Sequence, residues 1–316
     1  MPDPALAEAV AAAFGLSGAA ALEGPVARGQ QGRVWRLTCG TRVLAVKESF
    51  DGFDVAEAEA DAAFQDVVRA AAVPMPAVAR TVGGGVVAEV GGHAVRAYEW
   101  VDVRSLDRSS YDVAAVGALV AAIHRVRVPC PAGSAVRPWY AEPVGEPAWR
   151  ALVGRLASAG APFAEELDAL VPGIVEVESW IAGVAAVQLC HLDLWADNVR
   201  TTPSGWLVVL DWENAGPGDP SQELGPVLYE FGLGDSSRTA QLWEAYVEAG
   251  GPGRPRGPDD LGMLVAQLGH ILEIGCESWL AATDDPQRAG HEAWVREYLD
   301  DPPTRSRLLG ILAALG

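Results

Sequence analysis

The chain of 316 residues carries 23 Lys and Arg against 42 Asp and Glu, a formal net charge of −19, and half of its residues are hydrophobic. That composition excludes a disordered tail, and the carboxylate excess argues against nucleic acid and anionic membranes as partners. The length suits two lobes better than one hydrophobic core, and the charge is compatible with a cationic small molecule.

The N-terminal stretch MPDPALAEAVAAAFGLSG is apolar but contains Asp3 and Glu8 and has no basic n-region. It reads as a short helix over 4–14 and not as a secretion signal. Next come two strands, GRVWRLTC and RVLAVKE, joined by a turn at Gly40. Gly29 and Gly32 frame the loop GQQG ahead of them. The Ala-rich segment DVAEAEADAAFQDVVRAAA predicts a helix whose buried face holds Phe64, Val67 and Val68, with Pro74 and Pro76 beyond its end. Strand pattern returns in VVAEV and HAVRAYEWV around a Gly-Gly turn. Residues 1–101 are thus predicted to form a small antiparallel β lobe with one helix. Residues 102–316 form a second lobe, mostly helical, so the fold class is α+β. Helices are expected at 111–124, 148–159, 163–170, 175–185, 236–249, 259–281, 289–299 and 304–315, with the short strand WLVVL among them. The five prolines in 129–147 and the stretch ENAGPGDPSQELG read as loops.

The four cysteines, Cys39, Cys130, Cys190 and Cys276, are far apart in sequence and form no CxxC pair. Neither a redox nor a metal site of that kind is expected, and a reducing cytoplasm is the expected compartment. No uninterrupted apolar run reaches membrane-spanning length.

The chemistry concentrates in HLDLWADNVR, residues 191–200. Asn198 follows Asp193 by five positions, and Asp211 closes the strand WLVVL thirteen positions further on. A hairpin across TPSG brings Asn198 and Asp211 side by side. One amide oxygen and one carboxylate suit Mg²⁺, which takes few protein ligands and keeps water and phosphate for the rest. Asp193 is then available to accept a proton from a hydroxyl. The spacing H-x-D-x-x-x-x-N followed by a strand-end Asp is that of kinase-type phosphoryl transfer. LAVKE supplies the matching cation, Lys47, on a strand. The next helix offers Glu59 or Glu57 to hold that lysine, and Glu59, four to five residues before Phe64, is the first choice. The loop GQQG is a weak phosphate-loop signal, since it lacks the third glycine of G-x-G-x-x-G.

On LAVKE, AYEWVD, AAIH at His124, HLDLWADN and VVLDWENAGPGDPSQEL, the chain resembles the aminoglycoside phosphotransferase family, small-molecule kinases of the two-lobed protein-kinase-like fold. The resemblance spans residues 44–225. It implies that Asp193 is the catalytic base, that Asn198 and Asp211 are the Mg²⁺ ligands, and that Lys47 pairs with a glutamate of the following helix. It places the base of ATP or GTP against Tyr98, Trp100 and Val101, and phosphates near Gly29 and Gly32. The acceptor it implies is an amine-bearing or sugar-containing small molecule, such as an aminoglycoside or related antibiotic. The alternatives are a metabolic kinase for an amino sugar, fructosamine, choline-like alcohol or hydroxy-amino acid, a nucleoside or peptide antibiotic kinase, and an inactive nucleotide-binding relative. In the family, acids of the C-terminal helices bind substrate ammonium groups, which makes Glu273 and Glu277 candidates. Two departures stand out. Leu192 replaces the usual glycine of HGD, so the loop needs a backbone that a leucine tolerates. Glu223 replaces the second Asp of D-P-x-x-D-L and is expected to brace the catalytic loop. The DLW that follows the His resembles fructosamine kinase relatives.

Overall fold

The computed structural model describes residues 4–29, 32–104, 108–183 and 185–316. In chain order, the first elements are α1 (Pro4–Ala13), β1 (Ala20–Arg28), β2 (Gly32–Cys39), β3 (Arg42–Ser49), α2 (Val55–Ala70), β4 (Val78–Ala79), β5 (Val87–Val90) and β6 (His93–Glu99). Then follow α3 (Val113–His124), α4 (Pro138–Ala141), α5 (Glu146–Ser158), α6 (Ala164–Glu178), β7 (Gln188–Cys190), β8 (Val199–Thr201), β9 (Leu207–Val209) and β10 (Gly216–Gly218). The chain closes with α7 (Pro220–Gly232), α8 (Ser236–Glu248), α9 (Gly262–Ala281), α10 (Asp285–Asp300) and α11 (Arg305–Ala313). By contacts these elements separate into two compact units, Met1–Leu106 with Asp197–Ala215, and Asp107–Ala196 with Gly216–Gly316. The α+β, two-lobed kinase-like class expected from the sequence is the class observed. The units are not cut at residue 101, however: the hairpin β8–β9 groups with the N-terminal unit.

The first unit is built on a six-stranded antiparallel sheet ordered β1-β2-β3-β6-β4, with β5 also paired to β6. Alternation along β3 sends Leu44 and Val46 to one face, where they pack with Ala7, Val10 and Phe14 of the α1 region. Ala45 and Lys47 therefore point to the opposite face. The β5–β6 hairpin turns on Gly91 and Gly92, both at positive φ (+59° and +82°), as a two-residue turn of this hand requires. The side chain of Asp54 caps α2 by accepting from the N–H groups of Ala56 and Glu57. In the hairpin β8–β9, Val199 pairs Val209 and Thr201 pairs Leu207.

The second unit is helical. One core of this unit joins Trp149, Leu156, Phe163, Leu167, Leu272 and Trp279, drawn from α5, α6 and α9 and the loop before α6. The two helices expected at 163–170 and 175–185 are one: α6 runs through Pro172 and ends at Glu178. Helix α7 was not expected either. Its start is legible as Asp219–Pro220, an N-cap followed by proline at the first helical position, with Asp219 accepting from Ser221 N–H at 2.8 Å. Strands β7 and β10 pair antiparallel, Cys190 opposite Gly216, and deliver the chain into HLD. Among the described residues no helix is long and apolar enough to cross a membrane.

Candidate active site

A cavity of about 480 Å³ lies within the first unit, lined by Lys47, Gln65, Tyr98, Asn198, Asp211 and Glu213 among others. Lys47 reaches it because β3 alternates. The ammonium stands 2.9 Å from Asp211 Oδ1 and 2.6 Å from Glu213 Oε2. Burial alone would lower its pKa, but the charges of Asp211 and Glu213 outweigh that and hold it above the ordinary lysine value. Glu213 also accepts from the Tyr98 hydroxyl at 3.3 Å. Burial, reinforced by the Glu213 charge, pushes the Tyr98 phenol well up, so it stays a protonated donor. Glu213 was missed in the sequence, although it stands two positions after Asp211 in DWEN.

The hairpin places the two candidate metal ligands as its register requires. Leu210 N–H donates to Asn198 C=O at 2.8 Å, so Asn198 sits opposite the residue before Asp211. Asp211 adopts the left-handed region (φ +54°), an unusual conformation for a non-glycine residue. The next side chain, Trp212, is buried. It donates to Val209 C=O at 3.3 Å and meets Phe64 of α2 edge-on at 5.8 Å, which makes it a packing residue.

The expected helix partner of Lys47 is corrected. Glu59 accepts from Val86 N–H at 2.9 Å and from Arg80 at 3.4 Å, and Glu57 is exposed. The reason is a second cation. Arg96 lies directly across from Lys47 in the β3–β6 register, and its side chain is 1% exposed. It donates to Ala58 C=O at 3.3 Å and pairs with Asp61 at 3.5 Å. Asp61 is therefore the acid of α2 that meets the sheet, and it meets Arg96. Lys47 takes its anions from the hairpin and the turn that follows it.

Tyr98, Trp100 and Val101 line the same cavity, as expected for a segment that borders a nucleotide base. Trp100 N–H is spent on Val43 C=O at 3.1 Å, and its indole lies 5.4 Å from the Arg36 guanidinium. Gly29 and Gly32 do not line the cavity. Gly29 N–H donates to Gly32 C=O at 3.0 Å, and a Cβ on Gly32 would come within 2.1 Å of Glu48 O, so strand contact requires that glycine. Gln30 and Gln31 of this loop lie outside the described residues.

In the second unit the HLD loop is held from several sides. His191 is fully buried, and its Nδ1 accepts from Asp193 N–H at 3.2 Å. Leu192 takes the left-handed conformation (φ +67°) in spite of its side chain. The surroundings enforce this. Its N–H donates to Glu223, its C=O accepts from Gln267 Nε2 at 2.8 Å, and its side chain is buried against Tyr140, Cys190 and Met263. Glu223 also bonds His124 Nε2 at 2.7 Å, and His124 Nδ1 bonds the Tyr246 hydroxyl at 2.9 Å. Burial works to raise the Glu223 carboxyl. The His124 bond and the charges of His124 and His191 outweigh it, leaving the group below its usual value. The structural role expected for Glu223 is the one observed. Glu230, two turns further along α7, accepts from Ala196 N–H at 3.3 Å and from Arg108 at 3.0 Å. One helix thus grips both ends of the segment 192–196. Glu230 carried no motif signal in the sequence.

A further cavity of about 450 Å³, wholly within the second unit, is lined by Trp195, Glu230, Leu268, Trp294, Glu297 and Tyr298 among others. Glu273 and Glu277 are not part of it: Glu273 bonds His270 at 3.1 Å, and Glu277 pairs with Arg155. They lie off the apolar stripe of α9, which buries Leu264, Val265, Leu268 and Leu272. The cavity is served instead by the stripe side, Leu268, Ile271, Leu272 and Gly275, and by α10.

The model of the Phosphotransferase enzyme family matches residues 24–259. An uncharacterized protein of Deinococcus radiodurans is 28% identical over 202 residues, which is 60% of this chain. The chain spans 56% of that relative's length. A crystal structure of a spectinomycin phosphotransferase, in complex with ADP and spectinomycin, superposes with a TM-score of 0.68 at 13% identity, covering 98% of this chain and 97% of that one. An aminoglycoside phosphotransferase from Alicyclobacillus acidocaldarius gives 0.59 at 15% identity, with 92% and 90% coverage.

Proposed function

The chain belongs to the Phosphotransferase enzyme family, and from that premise we propose that it transfers the γ-phosphate of ATP or GTP to a hydroxyl of a small amine-bearing molecule, an aminoglycoside or related antibiotic. The observation that carries the reading is the meeting of Lys47 with Asp211 and Glu213 in a cavity that Asn198 also lines. A cation flanked by an amide oxygen and a carboxylate is the donor set that a metal–triphosphate needs.

The Asn198 amide oxygen and the Asp211 carboxylate would hold Mg²⁺. When bound, the ion neutralises charge on the phosphate oxygens. Lys47 adds a second positive charge to the same oxygens, and Glu213 and Tyr98 fix its position. Asp193 orients the acceptor hydroxyl and takes its proton, with its backbone anchored by His191 and the neighbouring Leu192 by Glu223. Positioning and electrostatics therefore carry the rate.

The acceptor belongs to the cavity beside Trp195, two positions after Asp193. Trp195, Trp294 and Tyr298 supply aromatic lining and Glu297 a carboxylate, while Glu230 and Asp301 of the same wall are paired with Arg108 and Arg307. That combination suits an ammonium on a ring-shaped body. It replaces Glu273 and Glu277 as the acidic wall.

The test is turnover. Purified protein with ATP or GTP and Mg²⁺ is offered spectinomycin, other aminoglycosides, nucleoside antibiotics, amino sugars, fructosamines and choline-like alcohols. Phosphorylated product is followed by mass spectrometry. Product from an antibiotic alone supports the reading, and product from a metabolite alone replaces it with a metabolic kinase. Nucleotide binding with no product from any acceptor supports an inactive nucleotide-binding protein instead.

A further inference from the structure

Gln65 sits on the buried face of α2 between Ala62 and Val68, and only 1% of its surface is exposed. Its side chain lines the cavity that Lys47, Asn198 and Asp211 also line. Neither its Oε1 nor its Nε2 has a hydrogen-bond partner among the described residues. A buried carboxamide with both ends unmet is rare in a folded protein and costly to keep. Three of the four acids of α2 are paired elsewhere, Asp61 with Arg96, Glu59 with Arg80 and Val86, and Asp66 with Arg80, and the fourth, Glu57, is exposed. Gln65 is thus the residue of α2 with hydrogen-bonding capacity in reserve at this cavity.

We propose that Gln65 is a positioning residue for the phosphate end of the nucleotide. This rests on the phosphotransfer reading of the cavity. A carboxamide suits the place because it offers a donor and an acceptor without charge. Lys47 holds Asp211 and Glu213 together, and Asp211 is also the carboxylate that would serve a metal. Once Asp211 is shared, Lys47 needs a further acceptor, and Gln65 Oε1 supplies one. Gln65 Nε2 donates to a phosphate oxygen. A glutamate here would add a third carboxylate beside Asp211 and Glu213 and repel the phosphates; glutamine does not. The chain has its second anion for Lys47 at Glu213, after the hairpin, and an uncharged group on the helix.

The test is Gln65→Met, which keeps the volume and removes both hydrogen-bonding atoms, with Gln65→Ala as a second variant should methionine pack poorly. Two quantities are read for the parent and each variant. One is the Tm without nucleotide; the other is the affinity for AMP-PNP with Mg²⁺, and for adenosine, by calorimetry. We expect Gln65→Met to raise the nucleotide-free Tm, since an unmet buried amide is gone, and to weaken AMP-PNP binding about tenfold while adenosine binding changes less than twofold. Equal AMP-PNP affinity in parent and variant overturns the proposal whatever the Tm does. An equal loss for adenosine and AMP-PNP also overturns it, because the residue then shapes the base or ribose site. If the parent itself binds neither AMP-PNP nor GMP-PNP, the phosphotransfer reading falls first, and that outcome is separate from a failure of Gln65; if it binds GMP-PNP alone, the same comparison is read with GMP-PNP and guanosine.

Discussion

Lys47 and Asp211 stand 164 positions apart in the chain and meet at 2.9 Å. In the proposed mechanism Asp211 and Asp193 have separable tasks. Asp193→Ala should reduce turnover by on the order of 10²–10⁴ and leave nucleotide affinity nearly unchanged. Asp211→Ala should abolish the Mg²⁺ dependence of nucleotide binding as well. Steady-state kinetics paired with calorimetry at several Mg²⁺ concentrations reads both. Parental turnover in Asp193→Ala would remove it as the base.

Glu213 is the second anion on Lys47 and the acceptor of Tyr98. Glu213→Gln removes the charge and keeps the shape. The lysine then relies on Asp211 alone, and the KM for nucleotide should rise about tenfold with the fold intact. An unchanged KM would mean that Glu213 serves the sheet and not the lysine.

Leu192 invites a substitution that pulls two ways. A left-handed leucine costs about 1–2 kcal/mol of backbone strain, which Leu192→Gly would relieve. The same change empties a buried leucine site, which costs about 2–5 kcal/mol. Burial should win, so Leu192→Gly lowers Tm although it restores the family's usual residue. A rise in Tm would show that strain dominates.

Glu48 gives a pH test outside the cavity lining. It accepts from Arg33 at 2.7 Å and from Trp35 Nε1 at 2.7 Å, and bonds His93 at 2.8 Å. The Arg33 hydrogen bond, against a smaller opposing effect of burial, brings its carboxyl from 4.5 down to about 2. Because the folded value is depressed, the stabilisation is complete above the unfolded pKa and is lost as pH falls from about 4.5 toward 2. Glu48→Gln should therefore unfold earlier than the parent at neutral pH, with the two Tm values converging across that acid window. A constant gap would place the effect in packing.

Much of the site was legible because kinase chemistry fixes spacings in short motifs. The intervals among Asp193, Asn198 and Asp211, and a lysine on an alternating strand, are constraints that a single sequence records. What stayed hidden has a physical cause in each case. Helix α2 is rich in alanine, which marks no face. Phe64 and Val68 are buried as expected, but Val67 is 47% exposed, and the inward set is Ala58, Ala62, Phe64, Gln65 and Val68. With the face misjudged, the acid was misjudged too, and nothing in the local sequence announces that Arg96 takes Asp61 from across the sheet. Glu273 and Glu277 were expected at the acceptor, but the partners that engage them, His270 and Arg155, are a matter of packing that the sequence does not record. Pro172 looked like a helix end, yet α6 continues through it, with Leu167, Val171 and Ile174 seated in the core on either side.

The grouping of Asp197–Ala215 with the first unit carries a consequence for synthesis. On the ribosome, strands β3 and β6 emerge with Lys47 and Arg96 side by side, long before Asp211 and Glu213 exist to answer them. A fragment ending at residue 106 would keep that pair of like charges, with Asp61 to answer Arg96 but neither Asp211 nor Glu213 to answer Lys47. The charge balance of the amino-terminal unit is therefore complete only once the chain has been made past residue 213.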